Sequence, residues 1–172
     1  MKKEFGILIF LGITCNLIAQ EYETIQIGDQ VWMAKNLDID SSGSRCYKDL
    51  LQNCKDFGRL YNWEAAITIC PQGFRLPTDE EWTILTGESG GSDIAGRNLL
   101  TRGKSGFKAL PGGNYNDLLY VFSYLYINGY YWTSTSFNET TAWMRQFDVN
   151  KTNINRSTVK KHYYFSVRCI KE

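Results

Sequence analysis

Apolar and polar positions alternate with two different periods along this chain, and the changes of period lay out its elements. Thr24–Ile27 and residues 31–33 flank Gly28-Asp29-Gln30, the pattern of an opening hairpin with a tight turn. Residues 36–56 are mostly polar and read as a loop. Trp63, Ala66, Ile67 and Cys70 then recur at i, i+3, i+4 and i+7, which predicts a helix over 58–70 with Cys70 on its buried stripe and Pro71 as its stop. A second helix is predicted over 78–86. Thr78 and Glu81 form a capping box, Asp79 and Glu80 place negative charge at the positive end of the helix dipole, and Pro77 and Trp82 occupy the hydrophobic-staple positions. Gly87 is placed to cap its end.

The second half turns to a period of two. Residues 88–106 hold five glycines and little periodicity, so a long loop is expected, followed by a short strand over 107–110 and a turn at Pro111-Gly112-Gly113. Residues 115–128 are aromatic and show no decided period. Strands are predicted over 130–135 and over 143–149, the latter with Trp143, Arg145, Phe147 and Val149 on one side. Residues 150–155 read as a hairpin turn leading to a last antiparallel pair that ends at Ile170. There Phe165, Val167 and Cys169 alternate inward against Tyr164, Ser166 and Arg168.

The amino terminus changes the compartment. Lys2 and Lys3 precede an apolar run over 5–14, and small Ala19 comes before the charged Glu21, the three-part layout of a secretory signal peptide over residues 1–20. The run is about half the ~20 residues that a membrane span requires, and no later stretch is apolar enough to span a bilayer. The residues before Cys15 do not resemble a lipidation signal, so a lipoprotein anchored at Cys15 is not expected. Removing Lys2, Lys3 and Glu4 from totals of 19 basic and 18 acidic side chains leaves 17 of each in residues 21–172, read as one domain. That balance offers no footprint for nucleic acid or an anionic membrane. Short aromatic segments separated by glycine-rich turns suggest a loop-rich α+β or mostly β domain.

Four cysteines remain after cleavage, and an even number in an exported chain argues for two disulfides with three possible pairings. Cys70 and Cys169 both face the core on different predicted elements, which favours Cys70–Cys169 and leaves Cys46–Cys54 to close a local loop. The alternative is one local bridge beside two free buried thiols.

Several ordered motifs carry a resemblance. Gln30-Val31-Trp32-Met33-Ala34-Lys35-Asn36-Leu37, Gly58-Arg59-Leu60-Tyr61-Asn62-Trp63-Glu64-Ala65-Ala66 and Cys70-Pro71 through Trp82 resemble the Fibrobacter succinogenes major paralogous domain family. So do Ala109-Leu110-Pro111-Gly112-Gly113, Tyr131-Trp132-Thr133-Ser134-Thr135 and Ser166-Val167-Arg168-Cys169. The segment from Arg75 to Trp82 is also similar to one in formylglycine-generating and related sulfatase-modifying enzymes. The resemblance implies a C-type-lectin-like fold: two short helices packed on small antiparallel sheets, with long loops and disulfide links. In that fold a cysteine on an early helix pairs with one on the last strand, in agreement with Cys70–Cys169. The sequence departs from the family pattern over 117–127 and at Tyr131.

Candidate chemistry is sparse. A formylglycine-generating oxidase needs neighbouring reactive cysteines in its C-terminal part, where this chain has Cys169 alone. His162, the one histidine, sits beside Lys160 and Lys161 without a nucleophile-elbow context, and it reads as a solvated strand-edge residue. Asp38, Asp40 and Ser42 with Gly43 and Asp49 match the spacing of a calcium loop, but no helices are predicted to flank them and a plain turn is the default. No cofactor is implied. Exposed aromatic rings can stack on sugars, and Tyr130, Tyr131, Trp132, Trp143 and Arg145 lie in the region that carries ligands in lectin-like folds. Core packing is the simpler account of Trp132. The expectation is therefore an exported, non-catalytic binding module for a glycan or envelope protein. A structural envelope component and a divergent enzyme are the alternatives.

Overall fold

The computed structural model describes residues 21–172; the expected signal peptide and Cys15 lie outside the described residues. β1 (Thr24–Ile27) and β2 (Gln30–Met33) form the hairpin read from the sequence, with Thr24 opposite Met33 and Ile27 opposite Gln30. Then come β3 (Ser44–Arg45), a 3-10 turn at Tyr47–Asp49 and α1 (Leu51–Phe57). Next are β4 (Leu60–Tyr61), α2 (Trp63–Ala66), β5 (Phe74–Arg75), α3 (Asp79–Glu88) and α4 (Ala95–Leu99). The rest is strand: β6 (Gly112–Asn116), β7 (Val121–Leu125), β8 (Asn128–Ser136), β9 (Thr141–Asp148), β10 (Ile154–Lys160), β11 (Tyr163–Ser166) and β12 (Ile170–Lys171). One sheet runs β1-β2-β12-β5 and the other β10-β9-β8-β6-β11-β4-β3, with β7 hydrogen-bonded to β6 outside that order. Most pairings are antiparallel, but β8 meets β6 and β11 in parallel, so the larger sheet is mixed. The class is α+β with short helices.

β8 divides the interior. Tyr130 and Trp132 point to one cluster, with Trp63, Phe165 and Val167; Tyr131 points to the other, with Trp32, Trp82, Phe107 and Phe147. Alternating strand residues face opposite ways, and here both ways are covered. Trp82 is the hub of the second cluster, its ring 4.9 Å from Trp32, 5.6 Å from Tyr131 and 5.8 Å from Phe107. It reaches there because α3 starts where the sequence says: the Thr78 hydroxyl accepts from Glu81 N, and Glu81 accepts from Thr78 N.

Several expectations are corrected. The helix predicted over 58–70 is one turn, α2, because Leu60 and Tyr61 are taken as a strand between β11 and β3 and the Asn62 side chain caps α2 by accepting from Ala65 N. Ile67 is exposed and Cys70 lies beyond the helix. Residues 36–56 contain all but the last residue of α1, and the long loop contains α4, so the described residues hold four α-helices instead of two. Gly87 lies inside α3, with Ser89 at its end. Residues 107–110 make a single parallel bridge, Ala109 to Leu100, and Gly112-Gly113 begins a strand instead of a turn. Gly113 is needed there: its φ is +70°, and a Cβ would sit 2.5 Å from Ser123 O. The last pair is also different. β10 pairs with β9, while β11 runs through the middle of the larger sheet, so Ser166 and Arg168 are buried along with Phe165, Val167 and Cys169.

Both disulfides form, Cys46–Cys54 across 8 residues and Cys70–Cys169 across 99. In the chain-entropy account the long link contributes about 4–5 kcal/mol and the short one about 2–3 kcal/mol.

Candidate functional site

The five residues proposed for ligand contact are placed by β8 and β9, and the side-chain polar groups of Tyr130, Tyr131, Trp132 and Arg145 are already engaged. Tyr131 and Trp132 are fully buried. Tyr131 Oη accepts from Leu110 N at 2.8 Å, and Trp132 Nε1 donates to Tyr61 O at 2.7 Å. Tyr130 is nearly buried, stacked 5.1 Å from Phe165 with its hydroxyl accepting from Asn128. Trp143 is half-buried beneath the Arg156 guanidinium, 3.7 Å from the ring centre, with Phe137 edge-on at 5.5 Å.

Arg145 is buried in an ion cluster. One nitrogen pairs with the Asp79 carboxylate, and the other donates to Asp79 O at 2.7 Å and Thr83 Oγ1 at 3.0 Å. Arg156 donates to the same carboxylate at 2.8 and 2.9 Å. Burial pushes the Asp79 carboxyl up, but the hydrogen bonds from Arg156 and Arg145 outweigh it and hold its pKa below the usual carboxylate range. A second arginine, Arg168, is wholly buried and donates to Asn36 Oδ1 at 2.7 Å, Met33 O at 3.1 Å and Phe107 O at 2.6 Å. Its ring partner is Phe107, 4.5 Å away. These two arginines lock elements together and present no donor to a ligand.

The calcium candidates are neutralised by arginines. Asp38 and Asp40 both pair with Arg59, at 3.4 and 2.9 Å, and Asp49 pairs with Arg45 at 3.3 Å. Ser42 adds no carboxylate, and no cluster of three metal-ligating side chains occurs among the described residues. His162 is half-buried, stacked on Tyr163 at 5.1 Å.

An open concavity lies elsewhere. A cleft of about 640 Å³ separates α4 and the loop after it from the turn joining β9 to β10. Arg97, Leu100, Thr101 and Arg102 line one wall, residues 149–152 the other, and Pro111 and Tyr126 the floor. Backbone bonds fasten these pieces: Arg97 N donates to Thr152 O at 3.1 Å, Val149 N to Ile127 O at 3.0 Å and Tyr126 N to Pro111 O at 2.9 Å. Gly96 permits the close approach, since a Cβ there would lie 2.6 Å from the carbonyl oxygens of Thr152 and Asn153. Tyr126 is 66% exposed and held at φ +66°, a left-handed conformation that is uncommon for an aromatic residue, with Phe57 edge-on at 5.3 Å. Arg97 and Arg102 make no ion pair among the described residues; Lys151 has Asp148 at 3.8 Å.

Sequence reasoning passed over this cleft because its walls come from segments without a period. One signal was there. Residues 94–116 hold four cations and no carboxylate, and 149–171 hold no carboxylate either, beneath a neutral total. Beside the cleft the β6–β7 hairpin exposes Leu118, Leu119, Tyr120, Val121 and Tyr124. No helix among the described residues is long and apolar enough to cross a membrane, a statement that does not extend to strands.

Fold and site together define an α+β domain tied by two disulfides, with a cationic cleft outside its aromatic core. Residues 25–171 match the Fibrobacter succinogenes major domain, and the chain belongs to that family. No curated protein and no solved structure matches it.

Proposed function

We propose that this chain is an exported, non-catalytic binding module of the bacterial cell envelope or secretome, with a C-type-lectin-like architecture. The cleft between α4 and the β9–β10 turn holds the ligand. One observation carries the reading: an exposed tyrosine ring, strained into place, floors a cleft of about 640 Å³ whose rim carries arginines without a partner among the described residues. That volume is within the about 300–1,000 Å³ of ordinary ligand sites. Its side chains are cations, hydroxyls, an amide and apolar surface, a set suited to holding a ligand. Export is supported by the layout of residues 1–20 and by two disulfides, which persist in oxidising spaces. The lectin-like architecture is supported by the resemblance and by the long Cys70–Cys169 tie.

Screening residues 21–172, oxidised, against immobilised glycans tests this. Retention of a glycan without turnover, lost in Tyr126→Ala while the unfolding temperature holds, is the expected result. Retention indifferent to Tyr126, or release of a cleaved product, refutes it. A second reading, docking of an envelope protein, is favoured by the exposed apolar hairpin over 118–124. Co-purification with one envelope protein, abolished by Leu118→Ser/Leu119→Ser, would support that reading.

A further inference from the structure

We infer that the ligand of this cleft is an anionic saccharide, with carboxylate or sulfate groups on its rings; the inference rests on the reading of the cleft as a binding site. Charge segregation comes first. The mature chain is neutral, yet Arg97, Arg102 and Lys151 converge on one concavity whose two walls contain no acidic side chain. Asp148 lies at its edge, 3.8 Å from Lys151, a separation at the limit of an ion pair. Folding has therefore brought positive charge from two distant segments together without supplying a counter-ion to either arginine among the described residues. A guanidinium presents a planar fork of donors that matches a carboxylate or sulfate bidentately. A neutral ligand would leave that field unanswered.

The floor selects for rings. Tyr126 offers its exposed face, and Pro111, Leu100 and Val149 continue the apolar surface, which suits the flat C–H face of a sugar. Thr101 and Asn150 supply hydroxyl and amide groups for sugar hydroxyls. An acidic peptide would use the cations but not that floor.

Calorimetric titration of the mature protein separates the possibilities. The probes are trigalacturonate, its fully methyl-esterified counterpart, a heparin-derived tetrasaccharide, a neutral cellulose oligomer and hexaglutamate. Trigalacturonate or the heparin fragment should bind, and which one does so distinguishes carboxylate from sulfate. The esterified or neutral sugar should bind about tenfold more weakly or worse, and Arg97→Gln/Arg102→Gln should lose a similar factor. Lys171→Gln, on β12 outside the cleft, should bind as the parent does. Affinity should fall as ionic strength rises from about 0.01 to about 0.15 M. Equal binding of acidic and neutral sugars, unchanged in the arginine variant but lost in Tyr126→Ala, would overturn the anion and leave the cleft as a site. Hexaglutamate binding as tightly as the sugars would overturn the saccharide. Acidic-sugar binding indifferent to the arginines and to Tyr126 overturns both this inference and the binding-site reading. Failure of both acidic sugars to bind overturns this inference alone.

Discussion

Replacing Asp79 by asparagine should destabilise the domain by about 3–4 kcal/mol, a large part of the about 5–15 kcal/mol that holds such a domain together. Asp79 is the first residue of α3, and its carboxylate faces two guanidiniums. Arg145 is buried, so taking away its counter-ion leaves a desolvated charge, which costs about 3–5 kcal/mol in comparable sites. Arg156 is half exposed and stacked on Trp143, and water replaces most of what it loses, so its share is under about 1 kcal/mol. The amide still accepts one hydrogen bond and returns a little of the total. Urea unfolding of oxidised residues 21–172, followed by tryptophan fluorescence, measures the change. A second substitution sharpens the test. Asp79→Asn/Arg145→Met removes the stranded charge and should be more stable than Asp79→Asn alone, a sign reversal that only direct coupling produces. A single variant within about 0.5 kcal/mol of the parent would refute the reasoning.

The same carboxylate sets the acid limb. Its folded pKa lies below its unfolded value of about 3.9, so its stabilisation is present above that value and lost as pH falls through the folded pKa. Glu81 behaves alike, held down chiefly by hydrogen bonds from Arg75, against its burial and with help from Thr78 N. Stability should therefore decline below about pH 4, with a slope shallower by up to about 1.4 kcal/mol per pH unit in Asp79→Asn. An unchanged slope would mean that Asp79 is not the titrating group.

Three further outcomes rest on the packing. Cys70→Ser/Cys169→Ser should cost about 4–5 kcal/mol in urea unfolding and Cys46→Ser/Cys54→Ser about 2–3 kcal/mol, the order following loop length; the reverse order would argue against the entropic account. Arg168→Met should cost at least about 3 kcal/mol, because Met33 O, Phe107 O and the Asn36 amide lose a buried donor together, and thermal melts should show Arg168→Lys recovering only part of it. Gly96→Ala should move the Thr152 and Asn153 carbonyls and alter cleft affinity while costing about 1–3 kcal/mol of stability; unaltered affinity would show that the turn is not a fixed wall.

What the sequence makes legible depends on whether a local signal acts alone. The capping box of α3 and the opening hairpin are short-range devices, and both stand where the pattern puts them. The helix over 58–70 did not, because its apolar spacing coincided with a strand that pairs with residues a hundred positions away. Periodicity counts apolar residues but does not see a partner. The same blindness left Tyr130 and Tyr131 open between core and ligand: with sheet faces covered on both sides, alternation carries no information about exposure. Arg145 reads as available to a ligand, and Arg168 as alternating away from the core. Only the fold reveals that Asp79 faces one and Asn36 the other.

The motifs that carry the family resemblance turn out to be the scaffold. Asn36 and Arg168 clamp the segment after β2 to the segment before β12, Asp79 and Trp82 seat α3, Trp132 and Trp63 send their indole N–H groups to backbone carbonyls, and Cys70 is joined to Cys169. The cleft, by contrast, takes only Pro111 from those motifs; Arg97, Leu100, Thr101, Arg102, Tyr126 and residues 149–152 lie outside them, and Tyr126 lies in the stretch that departs from the family pattern. A buried scaffold tolerates few changes, because Asn36, Asp79, Trp63, Trp132 and Arg168 each satisfy a group that water cannot reach. Exposed cleft residues bear no such constraint, so their charge can change without disturbing the fold. Exchanging Arg97 and Arg102 for residues of another charge should therefore leave the unfolding free energy in urea within about 0.5 kcal/mol of the parent while changing what the cleft retains. Coupled loss of stability and binding in that exchange would place the cleft inside the scaffold after all.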